Sequence, residues 1–137
     1  MASQEERLLR AAFLLGAITD ALALVPMLFS PMTKLLWGFE PDSGPYRFAI
    51  GYGASLMFGW TLLLLWAYQR PLERRFVAAL TVFVIYGLVA TEVGAVSQGY
   101  IALWRMLPTW GLQAFLVLLF AGAYHYSTVR RWLGAPA

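Results

Sequence analysis

Four long stretches of this chain are nearly free of charged residues, and they set the fold prediction. They run over residues 11–29, 48–68, 76–96 and 106–126. A bilayer core is about 30 Å thick, so a helix needs about 20 mostly apolar residues to cross it. The stretches are apolar all round, and lipid offers the backbone no hydrogen-bond partners, so each should be an α-helix. The pattern predicts an all-α integral membrane protein: one domain over residues 1–137, built as a four-transmembrane-helix bundle.

The segment between the first two stretches, residues 30–47, differs from the other connections. It is long, and it is interrupted by several proline and glycine residues. It also contains Trp37, a residue type that is enriched at membrane–water interfaces. We expect an interfacial loop, with a short helix lying on the membrane as one form it can take.

The composition supports this assignment and excludes several classes of function. Hydrophobic residues make up 61% of the chain and charged residues 12%, against about 25% charged residues in soluble domains. The chain has no cysteine and one histidine, so thiol chemistry and a cysteine or bis-histidine site within one chain are excluded. We therefore expect no metal, no cofactor and no catalytic residue. The net charge of +3 does not predict a nucleic-acid partner, because the basic residues flank apolar stretches and form no patch.

Basic residues are distributed unequally between the two sides of the predicted bundle. Seven lie at the termini or in the loop between the second and third stretches: Arg7, Arg10, Arg70, Arg74, Arg75, Arg130 and Arg131. The three others, Lys34, Arg47 and Arg105, lie on the opposite side. Cytoplasmic loops carry an excess of Lys and Arg. The sequence thus predicts cytoplasmic N- and C-termini, in the plasma or inner membrane if the source is prokaryotic.

Asp20 is the most unusual residue, because it lies near the middle of the first apolar stretch, about 15 Å into that helix. An Asp at the centre of a membrane helix costs about 2.5–3.5 kcal/mol on insertion scales. Thr19 is adjacent to it, and Ser55, Tyr86, Thr91 and Gln113 are candidate partners on other helices. Two interpretations remain open: a polar contact that fixes helix packing, or a binding site for a ligand or proton. The sequence leaves the charge state of Asp20 undetermined.

Glu92 and Arg105 suggest a second polar feature near the outer edge of the membrane. Glu92 lies about 24 Å along the third helix, and Arg105 precedes the fourth after a short connection. An ion pair between them would neutralise both charges. The alternative is that the two residues line an outer pocket that binds a polar head group or an ion.

A ridge of small residues on the second helix predicts close packing with other helices. Gly51, Ser55 and Gly59 repeat at four-residue spacing, the pattern that lets membrane helices approach closely. If this ridge meets the small and polar faces of the other helices, the result is a compact bundle with a polar lining toward the outer side.

Three functions remain open on this evidence, since no catalytic or nucleotide-binding motif is present. The favoured hypothesis is a non-enzymatic protein that binds a lipid or quinone-like molecule, or that serves as an accessory or assembly subunit of a membrane complex. The second is an oligomeric transporter or channel with Asp20 as the coupling group. The third is an enzyme acting on a lipid-soluble substrate, which requires Asp20, Glu92 and Tyr86 to converge on one cavity. The expected partners are membrane lipids, further copies of the chain, or a larger complex.

Overall fold

Five α-helices form the described part of the chain. The computed structural model describes residues 3–38 and 43–132, with side chains as far as residue 126. The helices are α1 (Gln4–Leu28), α2 (Ser30–Trp37), α3 (Gly44–Gln69), α4 (Phe76–Ser97) and α5 (Leu103–Trp132), and these residues include no strand. Four helices, α1, α3, α4 and α5, are long and apolar enough to cross a membrane. They correspond to the four predicted stretches and indicate a multi-pass membrane protein.

Polar capping residues explain why α1 and α3 begin earlier than the apolar pattern predicts. The Ser3 hydroxyl accepts the backbone N–H of Glu6 at 3.1 Å, and the Ser43 hydroxyl accepts that of Tyr46 at 3.3 Å. Such caps bind N–H groups that have no partner within the helix. Each helix therefore has a polar first turn that hydrophobicity alone does not reveal.

The predicted interfacial loop contains the short helix α2, while its residues 39–42 lie outside the described part of the chain. Gly38 ends this helix with φ of 77°, a left-handed conformation that glycine adopts without a steric penalty. The Thr33 hydroxyl is buried and donates to the Pro26 carbonyl oxygen of α1. This hydrogen bond holds α2 against the end of the preceding helix.

The long helices contact one another unequally. α1 packs most extensively against α3 and also against α5, and α4 packs mainly against α5. α3 and α4 contact each other little, although only residues 70–75 separate them in the chain. The order of packed neighbours is therefore α3, α1, α5, α4, and it leaves a gap between α3 and α4.

The tightest packing lies where α1, α3 and α5 meet. Phe13 and Phe120 are fully buried, with ring centroids 6.1 Å apart, and Leu64 packs beside them. Gly16 permits this approach, because a Cβ atom there would lie only 2.7 Å from Phe120 Cζ. Membrane helices associate through such close contacts at small residues.

Polar contacts join the helices at the end of the molecule where α1 begins, which we call the basic end. Arg75, in the turn between α3 and α4, lies 3.8 Å from Glu5. The Tyr126 hydroxyl of α5 donates to Gln4 Oε1 at 2.6 Å. The beginning of α1 is thus linked both to the α3–α4 turn and to the far part of α5.

The small-residue ridge of α3 does not face the other described helices of this chain, so the packing expected for it within the chain is not found, and a contact with a further copy or a partner complex stays a prediction. A Cβ atom on Gly51 or Gly59 would meet nothing within 4 Å, and Ser55 is exposed. α3 instead buries Ala54 and Ala67. These residues lie on a different face together with Leu64 and Thr61, and the Thr61 hydroxyl is satisfied within α3 because it donates to the Met57 carbonyl oxygen at 2.9 Å.

Candidate functional site

A partly open cavity of about 440 Å³ occupies the gap between α3 and α4. α1 and α5, which contact each other, contribute the wall behind it. Its lining is almost entirely apolar and includes Gly16, Trp60, Thr81, Leu88, Leu116 and Phe120. The cavity exists because α3 and α4 pack against different neighbours rather than against each other.

Asp20 lies in the wall of this cavity and is the only ionisable residue in its lining. The side chain is partly buried, yet it makes no hydrogen bond or ion pair with any other residue that the structure describes. Its carboxyl oxygens are not enclosed by protein atoms, so they are accessible at the surface of the cavity. The structure therefore places an accessible carboxyl group in an apolar cavity.

Three of the hydroxyl groups considered as partners for Asp20 are bonded within their own helices. Thr19 donates to the Leu15 carbonyl oxygen at 2.9 Å, and Ser55 donates to that of Gly51 at 3.0 Å. Thr91 likewise donates at 3.0 Å to the carbonyl oxygen four residues earlier in α4. None of these hydroxyls joins two helices, so the polar contact suggested for Asp20 is not formed by them.

Glu92 is held by two side chains of α5. Glu92 Oε2 accepts from Trp110 Nε1, and Glu92 Oε1 accepts from Gln113 Nε2, both at 2.9 Å. Gln113 is only 7% exposed, and its Oε1 atom has no partner. A carboxylate and two donors fixed in this way connect α4 to α5. Trp110 was missed in the sequence, although its three-residue spacing from Gln113 places both donors on one face of α5.

Arg105 makes contacts other than the predicted ion pair with Glu92, and that prediction is wrong. The guanidinium group donates from Nη1 to the Leu35 carbonyl oxygen at 2.7 Å and to that of Leu36 at 3.2 Å. The last carbonyl groups of a helix have no partner within it, and a cation near a helix C-terminus is favourable. The reason for the error is α2, whose C-terminal end supplies acceptors that the apolar pattern did not reveal.

A second, more open groove of about 500 Å³ lies between α4 and α5. Tyr86, which is 56% exposed, lines this groove together with Trp110 and Gln113. Tyr86 and the partners of Glu92 therefore face a space different from the one that Asp20 faces. The convergence on one cavity that the enzyme hypothesis requires is not found.

Most residues of the cavity lining carry no signal in the sequence that marks them as part of a site. Trp60, Thr81 and Phe120 resemble ordinary packing residues, and only the gap between α3 and α4 brings them together around Asp20. The Trp60 indole N–H is enclosed and has no hydrogen-bond partner in the structure. Among the described residues, no group of three or more His, Asp or Glu side chains is placed to share a metal ion.

Comparisons with models of protein families, with curated proteins and with solved structures gave no match.

Proposed function

We propose that this protein binds a hydrophobic or lipid-like small molecule in the cavity between α3 and α4. The observation that carries the proposal is a partly open apolar cavity of about 440 Å³ with one accessible carboxyl group, that of Asp20. Ligand sites in proteins typically have volumes of about 300–1,000 Å³ and apolar walls with a few polar groups that orient the ligand. Asp20 supplies such a group.

The position of the cavity favours a ligand that is dissolved in the membrane. Its lining on α1 extends from Gly16 to Met27, about 16 Å along the helix axis at 1.5 Å per residue. The residues beside the gap, such as Leu56 on α3 and Val84 on α4, are exposed to the surroundings of the helices. A molecule in the lipid therefore reaches Asp20 sideways, without passing through water.

The proposed orientation places both termini in the cytoplasm. The α3–α4 turn carries Arg70, Arg74 and Arg75 and lies at the basic end, whereas Arg105 lies at the opposite end beside α2. An excess of basic residues is typical of the cytoplasmic side.

Assembly into oligomers, service as an accessory subunit and transport coupled to Asp20 stay predictions from the sequence. Ligand binding by a single chain is compatible with each of them. A protein that presents a membrane-dissolved molecule to a partner, or moves it across the bilayer, must first bind that molecule.

Two matched tryptophan substitutions test whether the cavity holds the ligand. Leu88 lines the cavity and is 38% exposed, whereas Leu80, on the same helix and 36% exposed, lines neither the cavity nor the groove. Leu88→Trp should fill part of the cavity, and Leu80→Trp should leave it open. The measurement is native mass spectrometry of each protein after gentle extraction from its membrane.

We expect small molecules bound to the wild type and to Leu80→Trp, and a marked loss of them from Leu88→Trp. If the three proteins carry the same molecules in the same amounts, or if none carries any, the cavity is not a ligand site and the proposal fails.

A further inference from the structure

The cavity contains an acidic side chain, that of Asp20, without a basic partner. No described Lys or Arg forms an ion pair with Asp20, and no other ionisable residue lines the cavity. Two basic residues of other elements have partners outside the cavity: Arg105 donates to the C-terminal end of α2, and Arg75 pairs with Glu5. An ionised carboxylate in apolar surroundings is costly, and a counter-charge or a bound proton removes that cost. Within the described residues no cation pairs with Asp20, so a positive charge that pairs with it would come from outside the protein.

We propose that the ligand of this cavity is a lipid-soluble cation, with a single positive charge that pairs with Asp20 and an apolar body that fills the remaining space. This inference rests on the proposed function, because it names the chemical class of the molecule bound there. Binding would neutralise Asp20 and the ligand together, so that neither charge remains alone in the low-dielectric interior.

Aromatic residues elsewhere in the cavity lining favour a cation over a neutral molecule. Trp60 and Phe120 both line the cavity, and the indole ring is the aromatic group that attracts cations most strongly. The remaining lining includes the flexible side chains of Met27 and Met57, which adapt to irregular apolar shapes. The cavity thus combines one acid, an indole ring and an adaptable apolar surface.

A pair of probes that differ only in charge tests the inference. One is trimethyl(phenylbutyl)ammonium, which is positive at every pH. The other is its neutral isostere, in which a quaternary carbon replaces the nitrogen. Binding is measured by equilibrium dialysis with the protein in nanodiscs of neutral lipid, and the signal of empty nanodiscs is subtracted. The proteins are the wild type, Asp20→Asn, Leu88→Trp and Glu92→Gln. The last makes the same acid-to-amide change in α4, at a residue that does not line the cavity.

We expect the wild type and Glu92→Gln to bind the cation with a Kd at least about tenfold lower than that of the isostere. This ratio corresponds to a difference in binding free energy of about 1.4 kcal/mol. Asp20→Asn should bind the two probes equally, and its binding of the isostere shows that the variant is folded. Leu88→Trp should lose both probes. If the wild type binds both probes equally and Leu88→Trp loses them, the cavity is a ligand site but the cation inference is wrong. If Leu88→Trp binds the probes as the wild type does, the proposed function itself is wrong.

Discussion

Gly16 offers a direct test of the packing that forms the back of the cavity. In the substitution Gly16→Ala, the new Cβ atom would lie 2.7 Å from Phe120 Cζ and 3.2 Å from Leu64 Cδ1. Ordinary contacts of this kind begin at 3.4 Å, so the phenyl ring must move by about 0.7 Å, the difference between 3.4 and 2.7 Å. The ring is fully buried and packs against Phe13. Overpacking of this sort costs about 1–3 kcal/mol.

The matched control is Gly59→Ala, because a Cβ atom at Gly59 would have nothing within 4 Å. Both changes replace a glycine inside a long helix, so both gain about 1 kcal/mol of helix propensity. The difference between the free energies of unfolding of the two variants therefore reports the cost of overpacking at Gly16. Reversible unfolding in mixed micelles, with an increasing mole fraction of a denaturing detergent, measures the free energy of unfolding of each variant.

We expect Gly16→Ala to be less stable than Gly59→Ala by about 1–3 kcal/mol. The displaced Phe120 ring also lines the cavity, so Gly16→Ala should retain less ligand. A difference in stability below about 0.5 kcal/mol, the range of substitutions without packing consequences, would refute the arrangement of α1 and α5 described above.

Three further predictions concern the polar contacts. Glu92→Gln should lower the free energy of unfolding by about 1.5–3 kcal/mol, since two donors of α5 lose a charged acceptor; an unchanged stability would rule out this contact. Thr33→Val removes the hydrogen bond to Pro26 and should cost about 1 kcal/mol, with faster amide hydrogen exchange throughout α2. Arg105→Gln should accelerate amide hydrogen exchange only at the C-terminal end of α2. An equal acceleration of exchange in all helices would contradict this local role of Arg105.

The long helices were predictable because hydrophobicity and length largely determine a membrane-spanning helix. α4 (Phe76–Ser97) matches the predicted stretch 76–96 within one residue, since charged and polar residues border it closely. α1 was predicted to begin near residue 11 but begins at Gln4. Its first turns are polar, and helix formation there depends on the Ser3 cap rather than on lipid exposure.

The partners of the polar residues were less predictable, because they depend on which helices are neighbours. Asp20 was identified from its position in an apolar stretch, and the structure places it in the cavity wall. The predicted Glu92–Arg105 ion pair does not form, because Arg105 donates to carbonyl oxygens of α2 and because Trp110 and Gln113 donate to Glu92. The sequence carries no direct signal that α3 and α4, although consecutive, pack against different partners.

The measurement that tests the central claim most directly is an experimental structure of the wild-type protein in lipid nanodiscs. The account predicts a gap between α3 and α4 that contains non-protein density, with that density reaching the carboxyl group of Asp20. If α3 and α4 instead contact each other along their length, with Asp20 bonded to a side chain of the protein, the cavity and the proposed ligand site would both be contradicted.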